Sequence, residues 1–86
     1  MFRLTPAGPT PSIRSVPRLR KRSINLSGHA TSLALESEFW ETLSDMASAR
    51  KITLAALIVE IDAGRADRAL ASACRVAALI WARTPH

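Results

Sequence analysis

The sequence predicts a mainly α-helical domain that begins with a short β-ribbon. Leu33 and Leu35 alternate with small residues, which is the period of a strand with one buried face. From Ser37 onward the apolar residues recur at helical spacing, in three consecutive segments that continue to Arg83. A chain of 86 residues has room for one small domain and a tail.

Residues 1–20 are predicted to form a disordered basic arm, and residues 21–84 to form the folded domain. Six basic residues and no acidic residue precede Glu36, whereas Glu36 and the residues after it include six basic and seven acidic ones. This asymmetry favours a polyanionic partner, nucleic acid first and anionic membrane second. A tail that only improves solubility is the alternative. The arm cannot form a regular helix because it contains Pro6, Pro9, Pro11 and Pro17.

Two short strands around a glycine are expected to form a β-hairpin. The first strand covers residues 23–26, and the second covers residues 30–35. Residues 27–29 form the expected loop, since Gly28 can adopt a positive φ. A strand with unpaired edges is unstable alone, so the second strand needs a partner.

Capping residues define the expected ends of the three helices. Ser37, Thr53 and Asp67 are predicted N-caps of the first, second and third helix, and Gly64 is the predicted C-cap of the second. Val59 adds a second apolar face to the second helix, which is therefore expected to be buried on more than one side. The stripes predicted to be buried are Phe39, Leu43, Met46 and Ala47, then Leu54, Leu57, Ile58 and Ile61, then Leu70, Ala73, Cys74, Ala77, Ile80 and Trp81.

Catalytic chemistry has little support in these residues. The single cysteine, Cys74, excludes disulfides and Cys-based zinc sites, and its apolar surroundings predict a buried thiol. Glu36, Glu38 and Glu41 are expected to complement a helix dipole rather than bind a metal. The sequence has no phosphate-cradling glycine loop and no nucleophile with an identifiable base. We therefore expect no enzyme activity, no cofactor and no metal.

No apolar run is long enough to cross a bilayer, and no secretory signal follows Met1. The expected location is the cytoplasm, without membrane association.

Several short motifs follow one another in a specific order. They are Lys21-Arg22-Ser23, Gly28-His29, Phe39-Trp40 and Glu60-Ile61-Asp62. Their order and the final apolar helix resemble a bacterial subgroup of the ribbon-helix-helix (Arc/MetJ-like) DNA-binding superfamily.

The resemblance implies an intertwined homodimer with an N-terminal β-hairpin and an extra C-terminal helix. Residues 30–35 would pair antiparallel with their copy in the second subunit, since neither copy would complete the sheet alone. The resulting ribbon would enter the major groove of double-stranded DNA, and the second helix would bind a phosphate at Thr53. The protein would then be a bacterial transcriptional regulator.

The predicted DNA contacts lie in the arm, the hairpin and the second helix. On the second strand only Ser32 can hydrogen-bond a base edge, because the other outward positions are alanines. Sequence preference would therefore depend on the arm, on His29, on Ser23 and Asn25, or on DNA shape. The predicted contact residues are Arg20, Lys21, Arg22, Asn25, His29, Ala30, Ser32, Ala34 and Thr53.

The two alanines leave a second function open. The chain could be a protein-interaction or antitoxin-like dimerisation module that keeps the fold but has lost base readout. Its partner protein would bind the apolar third helix.

Overall fold

The computed structural model describes residues 18–85, which form a two-stranded sheet followed by three helices. This order confirms the predicted fold class, while the predicted disordered arm lies almost entirely outside the described residues. The elements are β1 (Leu19–Leu26), β2 (His29–Glu36), α1 (Ser37–Ala49), α2 (Leu54–Ala63) and α3 (Leu70–Arg83).

The predicted hairpin is confirmed, but it is longer and tighter than expected. β1 and β2 pair antiparallel from Leu19 opposite Glu36 to Leu26 opposite His29. A two-residue turn joins them, with φ 51° at Ser27 and φ 85° at Gly28. Two positive φ values define a type I′ turn, whose twist matches that of the paired strands. His29 therefore belongs to β2 and not to the loop.

The second strand finds a partner within its own chain. β1 occupies one edge of β2 over eight residues instead of the four predicted. The other edge of β2 has no neighbouring strand in the described part of the chain. Pairing between two copies through that second edge stays a prediction.

The hydrophobic core lies between one face of the hairpin and the three helices. Every element except β1 contributes to its five largest fully buried side chains. Burial of Cys74 is confirmed, and desolvation raises the pKa of its thiol to about 11. The thiol is therefore protonated and unreactive at neutral pH. The five side chains are Leu35, Leu43, Leu57, Ile58 and Cys74.

Two predicted N-caps are wrong. Ser37 is the first helical residue of α1 rather than its cap, and its Oγ accepts a hydrogen bond from Arg20 Nε at 3.0 Å. Asp67 lies before the start of α3, which begins at Leu70 after Ala69. Ser37 lies one residue after the N-cap position, which Glu36 occupies, and Asp67 lies two residues before the N-cap Ala69.

The predicted caps of α2 are confirmed. The Thr53 hydroxyl accepts a hydrogen bond from the backbone N–H of Ala56 at 3.0 Å. Gly64 is the C-cap residue, and its N–H bonds the carbonyls of Glu60 and Ile61.

Helical spacing predicted most buried positions but not the exact orientation of each helix about its own axis. In α1 the buried aromatic residue is Trp40, whereas Phe39 is half-buried. In α3 the predicted core residue Ile80 is 61% exposed, and Ala78 is buried instead. Val59 of α2 is 40% exposed, so burial of this helix on a second side is not seen within one chain.

Two ion pairs connect elements that are distant in sequence. Arg50 at the end of α1 binds Glu60 of α2 through two contacts of 2.8 and 2.9 Å. Arg75 of α3 binds Glu36 at the end of β2, with Nε 2.9 Å from Oε1. Hydrogen bonding to the guanidinium lowers the pKa of each of these carboxyl groups.

We expect Glu60→Gln to reduce the loss in the free energy of unfolding that the protein shows as the pH becomes acidic. A lowered folded-state pKa means that the unfolded chain binds more protons, so this carboxylate stabilises the fold above its ordinary pKa of 4.5. That contribution disappears as the pH falls through the folded-state value. Urea unfolding from about pH 6 to 3 measures the effect. The control is Glu41→Gln, since Glu41 forms no ion pair within residues 18–85.

Leu35→Ala should lower the free energy of unfolding by about 2–5 kcal/mol, because it removes a side chain that is 0% exposed. Leu19→Ala in the paired strand should change it by about 0.5 kcal/mol or less, since Leu19 is 53% exposed. Chemical denaturation of both variants checks this difference. Equal losses would contradict the assignment of the two faces.

Candidate nucleic-acid interface

The two faces of the hairpin differ in chemistry. Residues directly opposite each other in a ladder share a face, and successive residues of one strand lie on opposite faces. The prediction that Leu33 and Leu35 face the core is confirmed, since both are buried. We call the opposite side the outer face, and its central pairs are Lys21 with Ala34, Ser23 with Ser32, and Asn25 with Ala30.

The outer face is exposed, and four of its six central residues are polar. All of its central residues are exposed except Ala34, which is half-buried. The functional groups come mainly from β1, whereas β2 contributes two methyl groups and the Ser32 hydroxyl. Serine and asparagine can bond phosphates or base edges, and lysine adds a positive charge. This combination suits a polyanionic surface.

The basic residues Arg20, Lys21 and Arg22, which are adjacent in sequence, divide between the two faces of the hairpin. Lys21 lies on the outer face, but Arg20 and Arg22 belong to the core side of β1. Arg20 is bonded to Ser37, and the Arg22 guanidinium lies 4.8 Å from the ring centroid of Trp40. All three basic side chains remain exposed. All three charges contribute to the positive potential near this end of β1, but only the Lys21 side chain lies on the outer face.

Trp40 attaches the basic end of β1 to α1. Its indole Nε1–H donates a 2.8 Å hydrogen bond to the carbonyl oxygen of Arg20. The side chain is 3% exposed, and a buried indole N–H requires such a partner. The Arg22 stacking adds a cation–π contact to the same ring. The Phe39-Trp40 motif drew attention to Trp40 in the sequence, but it could not predict this contact, which joins residues 20 positions apart.

Two predicted contact residues flank the turn. The Oδ1 atom of Asn25 accepts a hydrogen bond from the N–H of Gly28 at 3.1 Å, so it stabilises the turn. The Nδ2 amide of Asn25 keeps its capacity to donate. His29 is exposed, but it pairs with Leu26 and therefore lies on the core side of the ladder.

Thr53 lies apart from the hairpin, at the start of α2. Its hydroxyl satisfies the N–H of Ala56, whereas helix geometry leaves the N–H groups of Leu54 and Ala55 without a partner in the helix. These groups and the helix dipole favour an anion there.

The second edge of β2 has a defined pattern of backbone groups. In a hairpin with a type I′ turn, the residues flanking the turn form a hydrogen-bonded pair, and the pairs then alternate. Thr31, Leu33 and Leu35 therefore bond β1, whereas Ala30, Ser32 and Ala34 direct their N–H and C=O groups to the open edge.

Other classes of site lack support in the part of the chain that the structure describes. No group of three His, Cys, Asp or Glu side chains there could hold a metal ion. No helix within those residues has both the length and the apolar character needed to span a membrane.

Comparison with known proteins identifies the architecture. A family model described as "Ribbon-helix-helix domain" matches residues 19–82, which include both strands and nearly all of the three helices. No curated protein and no solved structure matches the chain at a significant level.

Trp40→Phe should destabilise the protein by about 0.5–1.5 kcal/mol, because the hydrogen bond from the indole N–H to the Arg20 carbonyl is lost. Amide hydrogen exchange should accelerate in β1, while the amides of α2 serve as the internal control. Unchanged exchange in β1 would show that the indole does not hold this strand.

Proposed function

The chain belongs to the ribbon-helix-helix family, and we propose on that premise that it is a homodimeric DNA-binding regulator of transcription. Domains of this family generally bind DNA as dimers. The observation that carries the proposal is the outer face of the hairpin, which presents Lys21, Ser23 and Asn25 beside small residues of β2. The proposed setting is the bacterial cytoplasm.

Dimerisation through β2 is supported by its open edge. Ala30, Ser32 and Ala34 offer unpaired backbone groups there, and an antiparallel copy of the same strand would satisfy them around a twofold axis. A second copy would also enlarge the core, which is small because the domain is short. The dimer would contain a continuous sheet in the order β1, β2, β2 and β1.

DNA binding would place the outer face of this sheet against the major groove. The groove admits a two-stranded β-ribbon, and the central β2 strands form such a ribbon. Their outward side chains offer only one hydroxyl each toward the groove, so most of the affinity would come from charge. The free N–H groups near Thr53 are a second phosphate-binding position.

Ser32→Pro should produce a folded monomer. Proline removes the N–H that Ser32 directs to the open edge, while the bonds between β1 and β2 remain. The matched control is Thr31→Pro, which removes an N–H bonded to β1 and should disrupt the hairpin. Sedimentation and circular dichroism distinguish the two results. A Ser32→Pro protein that remains dimeric would contradict pairing through this edge.

Joint replacement of Arg20, Lys21 and Arg22 by Ala should weaken duplex binding for every DNA sequence and reduce its salt dependence. The dimer should remain folded, because the three side chains are exposed and none belongs to the hydrophobic core, although the Arg20–Ser37 and Arg22–Trp40 contacts are lost. Fluorescence anisotropy with unrelated duplexes over a salt series measures the loss. Failure of the wild-type protein to bind any duplex at low salt would overturn the proposed function.

A second candidate function follows from α3. Leu79 and Ile80 are 51% and 61% exposed, and such neighbouring apolar residues suit a protein contact. A dimerisation module of antitoxin type would use this surface for its partner. A wild-type dimer that binds no duplex at low salt would favour this function over DNA regulation.

A further inference from the structure

The two strands of the hairpin differ sharply in charge and in side-chain length. β1 carries Arg20, Lys21 and Arg22, whereas β2 has no lysine or arginine. On the outer face, Lys21 lies opposite Ala34 and Asn25 lies opposite Ala30. The positive charge is therefore confined to the strand that would form the margin of a dimeric sheet.

The dimensions of DNA decide where that margin would lie. Strands in a sheet are about 4.8 Å apart, so the two β1 strands of a four-stranded sheet are separated by about 14 Å. The major groove is about 12 Å wide, which accommodates the central pair but not all four strands. Each β1 strand would therefore lie over a rim of the groove, where the phosphates are.

The short side chains of β2 agree with this position. The groove is about 8.5 Å deep, and an alanine methyl on a sheet held at the rims cannot reach base edges at its floor. The charged strand, by contrast, lies next to the negative backbone. Trp40 bonds the backbone carbonyl of Arg20, and Ser37 bonds the Arg20 side chain. The strand that carries Lys21 is therefore ordered before DNA binds.

We propose that β1 is a phosphate clamp, in which Lys21 and the Ser23 hydroxyl of each subunit bind the backbone strands on either side of the major groove. This inference rests on the proposed dimeric DNA-binding function. Phosphate contacts position a protein without reading sequence. The protein would therefore bind duplexes with a weak sequence preference that follows DNA shape.

The test compares wild-type protein with Lys21→Ala, Lys21→Arg and Arg20→Ala. Anisotropy is measured on three duplexes of unrelated sequence over a potassium chloride series. Lys21→Ala should reduce the slope of log K against log salt by about 1.8 per dimer, because two phosphate contacts are lost at about 0.9 each. The reduction should be the same on all three duplexes.

The two other variants test the geometry. Lys21→Arg should retain the wild-type slope, since it keeps the charge on the outer face. Arg20→Ala removes a neighbouring charge from the core side and should reduce the slope by less than half as much as Lys21→Ala. Equal effects of Arg20→Ala and Lys21→Ala would overturn the assignment of the clamp to the outer face.

Failure of the clamp is distinct from failure of the proposed function. Wild-type binding with an unchanged slope in Lys21→Ala would overturn the clamp and leave DNA binding intact. Loss of preference at one base pair in Lys21→Ala would also overturn it, because β1 would then read bases. Absence of wild-type binding to all three duplexes at low salt would overturn both.

Discussion

Pairing of β1 with β2 within one chain is the constraint on which the remaining structure depends. The two-residue turn at Ser27 and Gly28 determines the register, and the register determines which side chains face the core. The same register determines which backbone groups of β2 stay unpaired. The core face, the outer face and the open edge are therefore three consequences of one hairpin geometry.

Contacts between distant residues hold this hairpin on the helices. Trp40 bonds the backbone of β1, and Arg75 bonds Glu36 where β2 passes into α1. Buried leucines of both β2 and the helices fill the space between these contacts. The basic end of β1, an edge strand of a two-stranded sheet, is thereby positioned by the folded domain.

The lysine and arginine residues of the hairpin all lie on β1, and this distribution supports the proposed binding to DNA. In the proposed dimer the cations would lie on the marginal strands and the small residues on the central ones, which would separate electrostatic attraction from base recognition. A ribbon-helix-helix domain built in this way would be suited to binding many DNA sequences. Its specificity would arise from groove width and deformability rather than from direct readout.

The sequence by itself determined the order of elements, the caps of α2, the burial of Leu33, Leu35 and Cys74, and the family. These features follow from local periodicity, from short-range hydrogen bonds and from motif order, all of which are properties of neighbouring residues. Of the predicted contact residues, the alternation already assigned Ala30, Ser32 and Ala34 to the face away from the core.

Only the tertiary structure decided the length of β1, the division of the basic cluster and the role of Trp40. Strand length depended on how far β2 continues toward α1 and offers pairing partners, which no local pattern in residues 19–22 records. Arg20 and Arg22 moved to the core side because the register of a distant strand determined their orientation. Ser37 lost its predicted cap role since its side chain instead bonds Arg20, 17 positions earlier in the chain.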